Sequence, residues 1–254
     1  MRQLTMLAAM RAPELAERKR DSLHGFVRSR RLRILDLYAG IGGEQRRYRI
    51  EERGHEYVTL DLDPRFGCTI SADIMTMTAA QLRSFDFVWA SPPCEAFSVA
   101  SMGHHWGGGA RQYQPKTEHA KISQKLVEHT VALIKEINPP CGWMMENPRG
   151  VLRKLPCVAG LPRVLVTYCQ YGDTRMKPTD LWGTVPGWWP RPVCKNGDAC
   201  HEAAPRGAKT GTQGMNGAAE RAVVPWELWD DLLTAAERSN DPSSGTPDVR
   251  REPR

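Results

Sequence analysis

The chain has 254 residues, enough for one α/β domain with a buried core and a small appendage. Its hydrophobic fraction of 41% excludes a disordered protein, and no apolar run approaches the about 20 residues of a membrane-spanning helix. The formal net charge of +6 favours an anionic partner such as nucleic acid, and no membrane partner is expected.

Residues 1–31 have a basic, mildly helical pattern that lacks the apolar core and cleavage site of a signal peptide. The region that follows contains three predicted buried strands, at 33–38, 56–60 and 85–90. A glycine-rich turn at 39–43 leads into a helix that begins at Glu44. A further short element ends near residues 72–74.

The Gly-, His- and Ser-rich segment 99–117 predicts a mobile loop. An amphipathic helix follows, and its apolar side is predicted to carry Ile122, Leu126, His129, Val131, Leu133 and Ile134. Further strands are predicted at 142–145, 161–168 and 179–182. Residues 183–220 have little apolar periodicity, a last helix is predicted at 225–236, and the polar tail from Ser239 is expected to be disordered.

Strands that alternate with helices predict an α/β fold with a doubly wound, mostly parallel sheet. Ligands of such sheets collect at the carboxyl ends of the strands. Three unusual residue clusters follow predicted strands, so we expect them to form one site.

The first strand leads into the cluster Asp36-Leu37-Tyr38-Ala39-Gly40-Ile41-Gly42-Gly43. Its glycines permit a sharp turn and close approach of a ligand, and amides at the helix start can face a carboxylate or phosphate. Asp61 stands about 20 residues further on, where a ribose-binding carboxylate lies in this architecture. Asp73 can accept a hydrogen bond from an adenine amino group. Helix capping is the alternative for both carboxylates.

The strand at 85–90 leads into Ser91-Pro92-Pro93-Cys94-Glu95-Ala96-Phe97-Ser98. The two prolines fix the backbone as it leaves the sheet, which would hold the Cys94 thiol above the carboxyl edge. A cysteine in that position is a nucleophile if its thiolate is favoured, and a buried structural thiol otherwise.

A later strand ends at Glu146-Asn147-Pro148. A carboxylic acid beside a thiolate is the pairing needed to attack a heteroaromatic ring, because the acid engages a ring nitrogen and draws charge from the carbon under attack. Alone, Glu146 would be a solvated or capping residue, and only the combination with Cys94 indicates catalysis.

Together the three clusters resemble motifs I, IV and VI of the DNA cytosine-C5 methyltransferases, in order and position, over about residues 33–182. The chain looks most like the short, phage-encoded members. The resemblance implies a Rossmann-like methyltransferase fold with S-adenosyl-L-methionine as cofactor. It also implies a monomeric DNA (cytosine-5-)-methyltransferase in the cytoplasm, or in the bacterial host cytosol if it is phage-encoded, that acts on double-stranded DNA.

The resemblance assigns catalysis to Cys94, which adds to C6 of a flipped cytosine, and to Glu146, which engages N3 while C5 takes the methyl group. It assigns cofactor binding to Asp36, Tyr38, Gly40, Gly42, Gly43, Asp61, Asp73 and Pro93. Glu95 and Pro148 depart from the usual Gln and Val. Motif VIII also departs, and both Arg175 and Lys177 are candidates for the cation that reaches the cytosine O2, with a phosphate contact as the alternative.

We therefore predict a basic helical lead-in at 1–31, a catalytic domain at 32–182, a small irregular target-recognition region at 183–220, a closing helix at 221–238 and a disordered tail at 239–254. DNA contacts are expected from the loop after the nucleophile and from the target-recognition region. The candidates are Ser98, His104, His105, Trp106, Arg111, Arg206 and Lys209.

The seven cysteines lack the dense spacing of a secreted disulfide scaffold, which favours a reducing cytosol. Cys194, Cys200 and His201 are candidates for a zinc site, with Cys169 or Cys157 as a further ligand. The spacing is not the familiar Cys-x-x-Cys pair, and adjacent residues rarely both ligate. Ordinary loop cysteines are therefore preferred, and no metal is predicted.

Two alternatives stay open. An RNA (tRNA) cytosine-C5 methyltransferase would carry the same motifs, and a catalytically silent DNA-binding module on the same fold would be consistent with the departures at motif VIII. An amino-methyltransferase is disfavoured, because its chemistry would need neither Cys94 nor Glu146.

Overall fold

The structure is a computed structural model that describes residues 31–82, 84–109, 113–195, 197–202 and 222–240. The strands in this part of the chain are β1 Arg33–Leu37, β2 Glu56–Asp61, β3 Ile70–Ser71, β4 Phe87–Ala90, β5 Trp106–Gly107, β6 Gln114–Pro115, β7 Trp143–Pro148, β8 Arg163–Thr167 and β9 Pro178–Thr184. The helices are α1 Gly42–Glu52, α2 Met102–His105, α3 Glu118–Ile137 and α4 Trp226–Ser239. Short 3-10 turns lie at Pro64–Phe66, Ile74–Thr76, Glu95–Phe97, Leu152–Lys154, Pro156–Val158 and Tyr168–Tyr171.

Seven of these strands form one sheet in the order β3-β2-β1-β4-β7-β9-β8. The pairs from β3 to β7 are parallel, and β9 runs antiparallel to both β7 and β8. The predicted doubly wound, mostly parallel α/β sheet is thus confirmed. The carboxyl ends of β1, β2, β4 and β7 meet at one edge, as the clustering of motifs requires.

Alternate residues of the strands face opposite sides of the sheet, and each side has its own core. Leu35 and Val88 belong to the core that includes Val127 of α3. Ile34 belongs to the opposite core, which includes Trp229 of α4. The sheet is buried on both faces, which explains why its central strands read as continuous apolar runs.

Helix α3 has clear signals at both ends. The Thr117 side chain accepts a hydrogen bond from the amide of Ala120 (3.2 Å), and Asn138 ends the helix in the left-handed conformation. The prediction that Ile122 lies on the buried apolar side of this helix is wrong, since Ile122 is 55% exposed. No helix in the described ranges combines the length and apolarity needed to cross a bilayer.

The segment 99–117 contains more structure than a mobile loop. Helix α2 is followed by an antiparallel pairing of β5 with β6. The Trp106 indole is buried, donates to the carbonyl of Ala96 (2.6 Å) and stacks on Phe97 at 5.9 Å between ring centroids. This packing corrects the expectation that Trp106 meets DNA.

The last helix runs to Ser239, three residues beyond its predicted end at Ala236, so the predicted tail starts too early. The rest of that tail, at 241–254, lies outside the described residues, as does the lead-in at 1–30. Half of the predicted target-recognition region, at residue 196 and at 203–220, lies outside them too.

Candidate active site

The turn between β1 and α1 is built over a buried ion pair. Asp36 is fully buried, and its Oδ2 accepts hydrogen bonds from Arg46 Nη2 (2.7 Å) and from the Tyr57 hydroxyl. Arg46 Nη2 also donates to the carbonyl of Ala39 (3.1 Å), and this hydrogen bond stabilises the turn. Burial raises the pKa of Asp36, and Arg46 and Tyr57 oppose the shift. The enclosed carboxylate of Asp36 therefore supports the glycine turn, and Asp36 is not among the residues that line the cavity described next.

The glycines of this turn answer two different needs. Gly40 has φ of +53°, a left-handed conformation that glycine adopts readily. A Cβ at Gly42 would lie 2.6 Å from Arg46 Nη1, and one at Gly43 would lie 3.1 Å from the Cβ of Ala39. Because Gly42 and Gly43 have no side chains, α1 can begin close to the ion pair of Asp36 and Arg46.

A cavity of about 380 Å³ opens at the carboxyl ends of β1, β2 and β4. Four of the predicted cofactor residues line it, namely Tyr38, Asp61, Asp73 and Pro93. Phe66 and Leu126 add apolar surface. Such a mixture of apolar walls and a few polar groups is typical of small-molecule sites.

Two of the cavity carboxylates, those of Asp61 and Asp73, accept hydrogen bonds from backbone amides. Asp61 Oδ2 accepts from the amide of Gly40 (3.0 Å), which ties the end of β2 to the glycine turn. Asp73 caps the turn Ile74–Thr76 and accepts from the amide of Met75 (2.9 Å). The capping alternative therefore holds for Asp73, and the same carboxylate also lines the cavity.

Cys94 follows the two prolines at the end of β4 and caps the 3-10 turn Glu95–Phe97. The Asn147 side chain donates to the carbonyl of Pro92 (3.0 Å), which ties the end of β7 to the segment before Cys94. A second link joins the amide of Val151 to the carbonyl of Phe97 (2.9 Å). The second and third sequence clusters are thus held side by side.

Glu146 is buried on β7 and has two described partners. Its Oε1 accepts from the Tyr168 hydroxyl (2.8 Å) and lies 3.8 Å from Lys177 Nζ. Burial and Glu146 raise the pKa of Tyr168, which keeps its hydroxyl a donor. Lys177 Nζ also lies 4.5 Å from the Tyr168 ring centroid.

The Cys94 thiol is half-buried and stands in a mixed electrostatic environment. Burial raises its pKa to about 11, and the charges of Glu146 and Glu95 add to the shift. Lys177 opposes the shift. The free protein therefore favours the neutral thiol, and a nucleophilic thiolate needs a cationic neighbour or a bound substrate.

The two candidate cations, Arg175 and Lys177, have different surroundings. Arg175 is bound by Asp173, whose Oδ1 accepts from Arg175 Nε (2.7 Å), and it forms an ion pair with the same carboxylate. Lys177 instead approaches Glu146 and acts on Cys94. Spacing alone left these two residues undecided.

The predicted DNA contacts are only partly described. Ser98 accepts from the amide of Ala100 (3.2 Å) at the start of the loop. His104 is exposed on α2, and His105 Nδ1 is hydrogen-bonded to the Thr117 hydroxyl (2.8 Å). Three further candidates, Arg111, Arg206 and Lys209, lie outside the described residues.

Three residues of the site were not predicted from sequence, namely Arg46, Tyr168 and Asn147. Asn147 had a signal, because it belongs to the recognised Glu-Asn pair. Arg46 and Tyr168 carry no local pattern that distinguishes them from other arginines and tyrosines. The structure also brings Cys169 beside Cys194, Cys200 and His201, whereas Cys157 is not part of that group.

The chain is similar in sequence to a known viral protein. The chain is 29% identical over 171 residues to the "Probable DNA (cytosine-5)-methyltransferase" of Frog virus 3, a match covering 66% of this chain and 78% of the viral protein. No family model matches the chain.

Two solved structures are also similar. The Entamoeba histolytica methyltransferase EhMeth gives a TM-score of 0.45 and 14% identity over 64% of this chain and 55% of that one. The S. pombe Dnmt2 methyltransferase gives a TM-score of 0.43 and 17% identity over 63% of this chain and 52% of that one. The chain spans about half the length of either protein. The resemblance that the three motifs predict is confirmed by the viral relative, and over about two thirds of its length this chain is similar to a DNA cytosine-C5 methyltransferase.

Proposed function

We propose that this protein is an S-adenosylmethionine-dependent DNA cytosine-C5 methyltransferase with Cys94 as its nucleophile. The observation that carries the proposal is the joining of two strand ends, where Asn147 binds the carbonyl of Pro92 and so holds Glu146 beside the Cys94 turn. The viral relative supports the same reaction.

The cavity beside this pair fits the cofactor. Asp61 and Asp73 offer carboxylates to the ribose hydroxyls and the adenine amino group, while Tyr38 and Phe66 offer rings to the base. Pro93 lies between the cavity and Cys94 and belongs to the lining. When bound, S-adenosylmethionine supplies an electrophilic methyl group.

The residues of this chain then divide the chemistry. The Cys94 thiolate adds to C6 of a cytosine that has left the duplex stack, and Glu146 engages N3 so that charge is drawn from the ring. Carbon C5 takes the methyl group, then loses its proton, and the thiolate leaves C6. Lys177 favours the thiolate and is the cation that we assign to the cytosine O2, because it approaches Glu146. Tyr168 orients Glu146 through its hydroxyl.

Duplex DNA is the favoured substrate. The net charge of +6 suits a polyanion, and the relative's name specifies DNA. Transfer RNA is the second candidate, because an RNA cytosine-C5 methyltransferase would carry the same three motifs. We propose that the protein acts as a monomer.

Covalent trapping tests this function. A set of duplexes in which 5-fluorocytosine replaces every cytosine is incubated with protein and S-adenosylmethionine, because fluorine at C5 blocks the elimination that releases Cys94. We expect a denaturation-resistant complex that requires the cofactor and disappears in Cys94→Ser. Cys157→Ser is the matched control and should trap normally.

The same assay separates the candidates. Trapping of fluorinated tRNA but not of duplex DNA would show that the substrate is RNA and would overturn the DNA assignment. Absence of any trapped complex, with DNA binding intact, would support the silent-module alternative and overturn the enzyme. Activity retained by Cys94→Ser would overturn the proposed nucleophile.

A further inference from the structure

Four metal-ligating side chains converge away from the catalytic pair. They are Cys169, Cys194, Cys200 and His201, and their ligand atoms all lie within 4.8 Å of one another. Cys169 and Cys194 are buried, His201 is half-buried, and Cys200 is exposed. The cluster therefore has a closed side and a side open to solvent.

Three of the six separations are close to the edges of a tetrahedron around one ion. The Sγ atoms of Cys169 and Cys200 lie 3.6 Å apart, and His201 Nδ1 lies 3.6 Å from Cys200 Sγ and 3.8 Å from Cys194 Sγ. Zinc bonds of about 2.3 Å to sulfur and 2.0–2.1 Å to nitrogen imply edges of about 3.8 Å between sulfurs and about 3.5 Å from sulfur to nitrogen. The fourth edge, between Cys169 Sγ and Cys194 Sγ, is shorter at 3.1 Å.

A disulfide explains this cluster less well. The Sγ atoms of Cys169 and Cys194 are 3.1 Å apart, beyond the about 2.05 Å of a disulfide. A disulfide would also use only two of the three sulfurs and would not explain why His201 Nδ1 lies close to Cys194 and Cys200. Three sulfurs with one imidazole form one of the donor sets that structural zinc sites use.

We propose that Cys169, Cys194, Cys200 and His201 bind one structural Zn²⁺ ion. Four protein ligands complete a tetrahedral site and leave no position for substrate or water, so the role is structural. Each cysteine binds as a thiolate and gives up its proton when the metal enters. The adjacency of Cys200 and His201 is compatible with this set, because Nδ1 is the ring nitrogen nearer the backbone.

The metal would fasten the segment after β9 to the catalytic edge of the sheet. Cys169 follows Tyr168, the residue that donates to Glu146. Two further hydrogen bonds run beside the cluster, from the Cys194 amide to the Thr167 hydroxyl (3.1 Å) and from the Glu202 amide to the Thr174 carbonyl (2.9 Å). Zinc would thus hold the start of the proposed target-recognition region against the segment that leads to Lys177.

Metal analysis of untagged full-length protein, purified without chelators, tests the site. We expect about one zinc per chain, as a single tetrahedral site requires. Cys169→Ser and Cys194→Ser should each weaken zinc binding by more than about 100-fold in chelator competition, beyond the range known for loss of an outer partner. Cys157→Ser is the matched control and should keep the full zinc content.

Cobalt substitution of the unmutated protein makes the test independent of variant folding. We expect the intense visible bands of tetrahedral Co²⁺ and a near-ultraviolet charge-transfer band of the strength of three thiolates. Protein that takes up neither zinc nor cobalt, or that contains a Cys169–Cys194 disulfide by non-reducing peptide mapping, would overturn the proposal. Loss of zinc in Cys157→Ser, with retention in Cys169→Ser, would overturn the ligand set. None of these readouts depends on methylation, so the metal site and the proposed reaction fail separately.

Discussion

The thiol of Cys94 lies among charges of opposite effect. Burial raises its pKa most, the charges of Glu146 and Glu95 add to the shift, and Lys177 opposes it. Glu146 and Lys177 therefore change, in opposite directions, how much thiolate the resting protein contains. Cys157 has a similar pKa of about 11, which burial raises most, but its charged neighbour is Glu128.

We predict opposite shifts in Cys94 reactivity when these two charges are removed. Below a pKa of about 11 the thiolate fraction rises about tenfold per pH unit, so alkylation by iodoacetamide should accelerate with pH and level off near the pKa. Glu146→Gln should move this profile to lower pH. Lys177→Met should slow alkylation of Cys94 at the lower pH values, where Lys177 is charged, because burial lowers the pKa of Lys177 below its ordinary value. Peptide mass spectrometry reads Cys94 and Cys157 in the same sample.

Cys157 is the internal control, because neither substitution touches its environment. Its profile should stay fixed in both variants. Equal movement of both cysteines would indicate a general loosening of the fold. A stationary Cys94 profile would contradict the proposed electrostatic control.

At the scale of elements, the site depends on how closely two strand ends approach. Gly150 lies in the turn after β7, and a Cβ there would stand 2.2 Å from the carbonyl oxygen of Phe97. That oxygen is backbone and accepts the bond from Val151 that joins the turn to the Cys94 segment. A side chain at Gly150 must therefore push the two segments apart.

We predict that Gly150→Ala destabilises the protein and impairs catalysis together. Overpacking of this kind costs about 1–3 kcal/mol, and displacement of a catalytic group by about 1 Å can slow a reaction about 100-fold. Urea denaturation and the rate of covalent trapping measure the two effects. Gly103→Ala is the control for stability, because a Cβ there meets no atom within 4 Å. Wild-type stability in Gly150→Ala would show that the turn relaxes and that close approach is not required.

At the scale of the whole molecule, the second face of the sheet is closed by α4. Trp229 is fully buried there, and its ring lies 4.8 Å from that of Trp89 and 6.4 Å from that of Tyr57. The guanidinium of Arg46 lies 5.1 Å from the same ring. The closing helix therefore touches both the central strands and the ion pair beneath the glycine turn.

Trp229→Ala should lower the free energy of unfolding by about 3–5 kcal/mol, because it removes a large buried side chain and leaves a cavity. Trp189→Ala is the matched control, since Trp189 is 77% exposed and its loss should change stability by less than about 0.5 kcal/mol. Chemical denaturation of both variants measures the difference. Equal midpoints would mean that α4 contributes little to the folded domain.

Local pattern was sufficient for the sheet and for most of the cavity. Strands and helices alternate along the chain, and the clusters at Asp61, Asp73, Cys94 and Glu146 each follow a strand. Because parallel strands in such a sheet share one carboxyl edge, their end residues converge without further information. The predicted doubly wound, mostly parallel sheet is confirmed for this reason.

Other features depend on distances that no local pattern contains. Asp36 of β1 pairs with Arg46 of α1, and Trp106 stacks on Phe97. Arg175 is bound by Asp173, whereas Lys177 lies 3.8 Å from Glu146. In an irregular segment the alignment with a family motif can shift by two residues without losing its match. Such a shift exchanges Arg175 and Lys177 as the residue that faces the site.

The sequence by itself determined the alternating architecture, the nucleophile and acid candidates and the edge of the sheet on which they stand. Only the tertiary structure decided which cation approaches Glu146 and which cysteine joins the cluster at Cys194. The reason is physical: Cys169 and Cys157 are both separated from Cys194 by many residues, and only the turn after β8 brings Cys169 to within 3.1 Å of it.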